Sequence, residues 1–159
     1  EDDSYATFKE AFLFVMETLA KKIAADGEGA GKLMTSTVIH AANEAKAEVL
    51  SMSVCSSSLV KAAMFGADAN WGRVICALGY SGEDFDPETV DIYFKSKKGI
   101  VQCCKDGKGL PFDEELAKEI LLDDEVEIIS DMKEGDAFVS CWGCDLTYDY
   151  VKINGDYRT

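Results

Sequence analysis

Apolar residues recur every three or four positions over residues 4–25, and this spacing predicts a long amphipathic helix. The stripe is formed by Phe8, Phe12, Val15, Met16, Leu19 and Ile23, and the other face by Lys9, Glu10, Glu17, Lys21 and Lys22. A stripe of this kind usually packs on the core of its own domain, so we expect these apolar side chains to be buried. Asp26-Gly27 ends the helix, because glycine readily adopts the left-handed conformation of a helix end.

Beyond this helix the pattern alternates between strands and helices. β-branched residues mark the strands, and Asn43 is a suitable N-cap for the helix that follows the first of them. The predicted elements are a strand at 33–42, helices at 44–57, 59–65 and 74–78, a hairpin of 90–94 with 100–103, a helix from 111–113 onward, and a second hairpin pairing 125–132 with 136–146. No repeat or linker interrupts this order, so the sequence predicts that residues 1–159 form one domain.

The composition is that of a globular protein large enough to bury a core, with 47% hydrophobic and 29% charged residues. The longest apolar run, residues 11–16, is too short to span a membrane, and the acidic Glu1-Asp2-Asp3 does not begin a secretory signal peptide. A net charge of −14 argues against nucleic acid and anionic lipid as partners and is compatible with small cationic molecules. We therefore expect a cytoplasmic protein without nucleic-acid or membrane partners.

Cysteine chemistry is the first candidate activity, since Cys141-Trp142-Gly143-Cys144 is a Cys-x-x-Cys motif. Zinc would need two more ligands, and the only histidine, His40, lies in a different predicted strand. Residues three apart on a strand also point to opposite faces. We therefore predict buried, reduced thiols and no metal site, with thiol redox chemistry as a hypothesis to be tested.

Two other stretches concentrate chemical groups without forming a complete catalytic site. Gly27-Glu28-Gly29 places one carboxylate between two glycines, which indicates either a helix-to-strand turn or an accessible binding group. Residues 144–159 carry three tyrosines and several charges and end on Thr159; they form either a docked terminal element or one that inserts Asn154 and Thr159 into a polar pocket. The sequence has no Gly-x-Ser-x-Gly elbow, phosphate-binding loop or zinc signature.

Three stretches together resemble the ornithine acetyltransferase family, the bifunctional glutamate N-acetyltransferases of arginine biosynthesis. The stretches are Asp26-Gly27-Glu28-Gly29-Ala30, Asp68 with Asn70-Trp71-Gly72-Arg73, and Asp145 to Asn154 followed by Asp156-Tyr157-Arg158-Thr159. They occur in the family's order over nearly the whole chain. Two positions depart from the family: Gly31 stands where threonine is usual, and Ala69 where proline is usual.

The resemblance implies an α+β fold in which mixed sheets are covered by helices, an α/β/β/α sandwich like that of N-terminal-nucleophile enzymes. Members of the family cut themselves into two chains, and the first threonine of the second chain carries an acetyl group from N-acetylornithine to glutamate. Residues 1–159 then correspond to the C-terminal portion of the beta chain. This implies an alpha chain as partner, a heterotetramer of two alpha and two beta chains, and no cofactor.

The same resemblance implies that Glu28, Asn154 and Thr159 bind substrate, and that no catalytic nucleophile lies in the numbered chain. The chain alone is then inactive. Some relatives use only N-acetylornithine and others also acetyl-CoA, and the sequence does not distinguish them. The alternative is a catalytically silent lobe that serves assembly. Trp71 and Arg73 either clamp a carboxylate or fasten a loop to a helix end, and we favour the second interpretation.

Overall fold

The computed structural model describes residues 3–156, and within them helices and strands follow each other closely along the chain. The elements are α1 (Asp3–Ala25), β1 (Leu33–Ala41), α2 (Glu44–Ser56), α3 (Ser58–Phe65), α4 (Trp71–Gly79), β2 (Asp91–Ser96), β3 (Gly99–Lys105), β4 (Lys108–Gly109), α5 (Glu114–Leu121), β5 (Glu125–Asp131), β6 (Ala137–Cys144) and α6 (Tyr148–Asp156). A short 3₁₀ turn, Pro87–Thr89, precedes β2. Within this part of the chain, no helix is both long and apolar enough to cross a membrane.

Side-chain caps fix where the middle helices begin. In each case the capping oxygen accepts a hydrogen bond from the backbone N–H three residues further on, an arrangement worth about 1 kcal/mol per helix. The caps of α2, α3, α4 and α5 are Asn43, Ser57, Asn70 and Asp113. The predicted start of α2 at Asn43 is thereby confirmed.

All six strands form one mixed sheet in the order β4-β3-β2-β5-β1-β6. β1 and β5 are parallel, and the other neighbours are antiparallel. Helices α2, α4 and α5 cover one face, where Leu50, Phe94 and Ile128 belong to a single buried cluster. This confirms an α+β fold with a mixed sheet covered by helices. A second sheet is not found among residues 3–156, so the four-layer sandwich of the family stays a prediction for the longer protein.

The predicted hairpin of 125–132 with 136–146 is wrong, because β1 lies between β5 and β6. Thr37 of β1 is paired with Ile129 on one side and with Ser140 on the other. The connection from β5 to β6 crosses the end of β1, where the N–H groups of Glu134 and Gly135 donate to the carbonyl of His40. Because β5 and β6 are consecutive in the sequence, a hairpin was expected. Instead β1, which precedes both of them in the sequence, lies between them.

Helix α1 forms as predicted, but the expected burial of its apolar stripe is wrong. Phe8 and Ile23 are 66% and 76% exposed, and every residue from 4 to 17 is exposed. The helix packs on β6 and β1 through its last turns, where Lys21 Nζ lies 5.4 Å from the ring centroid of Trp142. The stripe points away from that contact. The spacing therefore predicted the helix correctly, but it did not predict that the apolar stripe would be exposed.

Candidate functional site

Two of the three residues predicted to bind substrate lie in contact. Asn154 Nδ2 donates to Glu28 Oε2 over 2.9 Å, although the two residues are 126 positions apart in the chain. Glu28 lies in the turn between α1 and β1, and Asn154 lies on α6. Thr159 is outside the described residues. The candidate site is therefore the surface at which the Glu28 turn meets α6.

A glycine allows the Glu28 turn and α6 to approach this closely. Gly29 has φ of +66°, a conformation that residues with a Cβ adopt only at a cost. A Cβ at this position would lie 2.6 Å from the backbone nitrogen of Tyr150. Thr147 Oγ1 donates to the carbonyl of Gly29 over 2.6 Å, which holds the two segments together. Backbone therefore packs directly on backbone beside Glu28.

Asp145 fixes the other end of the same turn. The residue is 3% exposed, and its Oδ1 accepts hydrogen bonds from the N–H groups of Gly31 at 2.7 Å and Lys32 at 3.2 Å. Its second oxygen is buried and has no hydrogen-bond partner among residues 3–156. A Cβ at position 31 would lie 2.9 Å from that oxygen. The departure at Gly31 therefore affects the contact with Asp145 and not Glu28.

Lys32 ties this turn to the helical layer. Its ammonium group donates to the carbonyls of Met64 and Leu121, at the C-terminal ends of α3 and α5, where the helix dipole favours a positive charge. Burial lowers the pKa of Lys32 from its usual value, while the nearby carboxylates Asp145 and Asp124 act in the opposite direction. Lys32 thus has structural partners on two helices, and the turn is anchored on both sides of Glu28.

The terminal helix is held at its first turn by a threonine. Tyr148 is 82% exposed and meets the ring of Phe65 edge-on, with 5.2 Å between ring centroids. Thr147 instead accepts a hydrogen bond from the N–H of Tyr150 and so caps α6. Asp145 and Thr147 are the residues that the sequence reasoning missed. The sequence could have indicated the helix cap, because Thr147 lies three positions before Tyr150, from whose N–H it accepts a hydrogen bond. The sequence could not indicate the bond from Thr147 to the distant Gly29.

The contact of Asn154 with Glu28 determines which atoms remain for a ligand. The Asn154 amide also donates to the carbonyl of Tyr150 over 2.9 Å, so both of its hydrogens are used within the chain. Asn154 Oδ1 and Glu28 Oε1 have no further hydrogen bond among residues 3–156, and both residues are exposed. Both remaining atoms are acceptors, and one belongs to a carboxyl group. Such a pair suits a cationic donor such as an ammonium group.

Trp71 and Arg73 have structural partners, as the favoured interpretation predicts. Arg73 Nη1 donates to the carbonyl of Leu59 over 2.9 Å and so links α4 to the start of α3. The Trp71 ring lies over Gly109, where a Cβ would be only 2.8 Å from the ring.

Asp91, Lys133 and Asp106 form a charged cluster whose members bond to each other. Burial alone would raise the pKa of Asp91, but hydrogen bonds from Lys133 and from the Asp106 N–H outweigh burial and lower it.

The cysteines form no disulfide: all six are free. Cys141 is buried in the core, whereas Cys144 is half-buried and lies next to Gly27 on the other face of β6. Burial raises the pKa of Cys55 to about 11 and that of Cys103 to about 12. Among residues 3–156 there is no cluster of histidine, cysteine and carboxylate side chains that fits a metal ion.

Thiol labelling of the folded protein at pH 8 is expected to give a fast phase from Cys76, which is exposed, and slow reaction of Cys55 and Cys103. A raised thiol pKa keeps the unreactive protonated form below about pH 9, and unfolding restores a pKa near 8.5. Mass spectrometry after alkylation with and without denaturant measures each site, and Cys76→Ser should remove the fast phase. Rapid labelling of Cys141 and Cys144 in the folded protein would instead support the redox hypothesis.

Comparison with known proteins adds independent information. A family model described as the ArgJ family matches residues 1–159. The arginine biosynthesis bifunctional protein ArgJ of Caldanaerobacter subterraneus subsp. tengcongensis is 55% identical over 152 residues, or 96% of this chain and 38% of that protein. The glutamate N-acetyltransferase of Methanopyrus kandleri is 46% identical over 158 residues, or 99% of this chain and 41% of that protein.

Solved structures agree with the sequence matches. The crystal structure of arginine biosynthesis bifunctional protein argJ from Bacillus halodurans superposes with a TM-score of 0.90 at 42% identity, covering 98% of this chain and 72% of that chain. The chain therefore spans about two fifths of the length of the curated relatives it matches.

Proposed function

Because this chain belongs to the ArgJ family, we propose that it is the substrate-binding part of an enzyme that transfers an acetyl group from N-acetylornithine to glutamate. The observation that carries the proposal is the contact of Glu28 with Asn154, which joins two implied substrate-binding residues from opposite ends of the chain. The names of two relatives support the same reaction class, since the proteins of Methanopyrus kandleri and Methanocaldococcus jannaschii are called glutamate N-acetyltransferase. In this proposal the complete enzyme serves arginine biosynthesis in the cytoplasm and uses no cofactor.

In this proposal Glu28 binds the ammonium group of the amino-acid substrate. The Asn154 amide holds the carboxylate in place by donating to one of its oxygens, which leaves the other oxygen for the substrate. A charge-assisted hydrogen bond of this kind contributes about 1.5–3 kcal/mol. Thr159, which lies outside the described residues, is the third residue of the proposed site. The residues of this chain therefore select and orient the substrate.

The covalent steps belong to a threonine outside the numbered residues. Its hydroxyl oxygen attacks the acetyl carbonyl carbon of N-acetylornithine, the C–N bond breaks, and ornithine leaves as an amine after taking up a proton. The amine of glutamate then attacks the acetyl-threonine ester, and the threonine oxygen regains a proton. The α-amine of the threonine acts as the base, which suits its reference pKa of about 7.7–8.0. This chain alone is therefore inactive.

The proposed position in the longer protein is the C-terminal portion of the beta chain, beside an alpha chain in a tetramer of two alpha and two beta chains. The matched stretch fills 72% of the solved Bacillus halodurans chain but about two fifths of the curated relatives. That solved chain is therefore about half as long as those relatives. A chain of about half length is what division of the protein into two chains of similar length would leave, and this supports the proposal.

Replacement of Glu28 by glutamine in the complete enzyme tests this function. Glutamine still accepts from the Asn154 amide, so the turn keeps its contact while the negative charge is lost. We expect kcat/KM for N-acetylornithine to fall about tenfold to a hundredfold, the equivalent of one charge-assisted hydrogen bond. The melting temperature should stay unchanged, because Glu28 is exposed.

Glu48→Gln is the matched control, since Glu48 is an exposed glutamate on α2. Its kcat/KM should equal that of the unmodified enzyme. Equal kcat/KM values for Glu28→Gln and Glu48→Gln would remove Glu28 from the site. A complete enzyme that shows no acetyl transfer at all would favour the other proposal, a silent lobe that serves assembly. The exposed stripe of α1 is the observation that keeps this second proposal open.

A further inference from the structure

Helix α1 turns its apolar side away from the rest of the described chain. Met16 and Leu19 are half exposed, and Phe8 and Phe12, which are 66% and 52% exposed, stack on each other with ring centroids 6.0 Å apart. The opposite side of the helix supplies the contact with the sheet, through Lys21 over Trp142. A helix whose apolar stripe faces solvent has its polar and apolar sides reversed relative to an ordinary surface helix.

The length of the stripe shows that it is a surface and not a few scattered residues. It runs from Phe8 to Ile23, about four turns of helix, and its members recur at three- and four-residue spacing without a charged residue among them. Large continuous apolar surfaces mark contacts with other bodies, whereas single exposed apolar residues do not. A partner with an apolar surface of similar length therefore fits α1.

We propose that the stripe of α1 is the surface on which the part of the enzyme beyond this chain docks. The matched relatives place about three fifths of their length outside the stretch shared with this chain. The solved Bacillus halodurans chain also extends beyond its matched 72%. The protein thus has a second body of sufficient size. The inference rests on the proposal that this chain works as part of a longer enzyme, but not on any role of Glu28 or Asn154.

A second copy of this chain fits the stripe less well. Each copy has a net charge of −14, so pairing two copies along α1 brings two strongly acidic bodies together. The remainder of the enzyme is a different sequence, so this repulsion between identical copies does not apply to it. Its docking also has a consequence for the candidate site, because α1 ends at Ala25 and Glu28 follows within three residues. A body seated on α1 therefore lies beside the turn that carries Glu28.

Photocrosslinking in the complete enzyme tests the docking directly. A photoreactive phenylalanine analogue replaces Phe12 in the stripe, and in a matched control it replaces Ile100, an exposed apolar residue on β3. After irradiation, peptide mass spectrometry identifies the partner segment. We expect the probe at Phe12 to crosslink to residues outside this chain. The absence of any crosslink from Phe12, or one to α1 of a second copy, would overturn the proposal.

A charge placed in the stripe provides a second measurement. Phe12→Glu in the complete enzyme should lower the yield of assembled enzyme severalfold, since burying an unpaired charge at an interface destabilises the assembled state. Lys9→Glu makes the control, because Lys9 lies outside the stripe and ends with the same side chain. Equal yields of both variants would contradict docking. Neither measurement uses acetyl transfer, so failure of the proposed reaction and failure of the docking surface give different results.

Discussion

Gly29→Ala is expected to remove most acetyl transfer from the complete enzyme while leaving the core folded. The added Cβ would lie 2.6 Å from the backbone nitrogen of Tyr150, and backbone atoms cannot move aside as the end of a flexible side chain can. α6 must therefore shift away from the turn, which separates Asn154 from Glu28. A displacement of about 1 Å at a binding group can cost a hundredfold in rate, so we expect a loss of kcat/KM of this size or more.

The stability change should be smaller than the change in activity. Holding alanine at a positive φ costs about 1–2 kcal/mol, whereas the buried cluster between the sheet and its helices is not touched. Gly79→Ala is the control, since an added Cβ there has no atom within 4 Å. Steady-state kinetics with denaturant unfolding separates the two effects. Retained activity in Gly29→Ala would show that α6 and the Glu28 turn need not touch.

Asp145→Ala is expected to lower both the stability and the activity of the complete enzyme. The substitution removes a buried carboxylate that accepts from two backbone N–H groups and leaves those donors without a partner. Each hydrogen bond to a charged group contributes about 1.5–3 kcal/mol, so we expect the free energy of unfolding to fall by about 3 kcal/mol or more. Activity should fall with it, because the turn that carries Glu28 loses its fixed end.

Hydrogen exchange distinguishes local loosening from global unfolding. In Asp145→Ala the amides of Gly31 and Lys32 should exchange faster than those of β1, which begins immediately after them. Asp136→Ala is the matched control, because Asp136 is an exposed aspartate. Its exchange pattern and free energy of unfolding should equal those of the unmodified protein. Unchanged exchange at Gly31 and Lys32 in Asp145→Ala would mean that the carboxylate does not hold the turn.

Local signals predicted most of the secondary structure. Helix α2 begins where Asn43 offers a cap, and β2 and β3 form the predicted hairpin. The strand order could not be predicted in the same way. The sequence places β5 and β6 next to each other, whereas the pairing of β1 with both depends on contacts between distant parts of the chain. Periodicity likewise identified the stripe of α1 but carries no information on what covers it.

The site was predictable only in part, and by resemblance rather than by local pattern. Glu28 alone looks like a solvated carboxylate in a turn, and Asn154 like an ordinary polar residue on a helix. Their meeting depends on Asp145 and Thr147, whose partners in the turn lie 114 and 118 positions earlier in the chain. Side-chain to backbone bonds over such separations leave no periodic signal. The structure was needed to show that two predicted residues form one surface.

The position of β1 between β5 and β6 has a consequence for the order in which this protein matures. β1 is made before β6, yet the hydroxyl of its Thr37 contacts that of Ser140, a residue 103 positions later. Closing so long a loop is entropically costly and slows folding. During synthesis, β1 must wait for those 103 further positions before β6, its second neighbour, is available. Asn154 follows β6 in the chain, so the contact between Glu28 and Asn154 cannot form before the last strand of the sheet has been made.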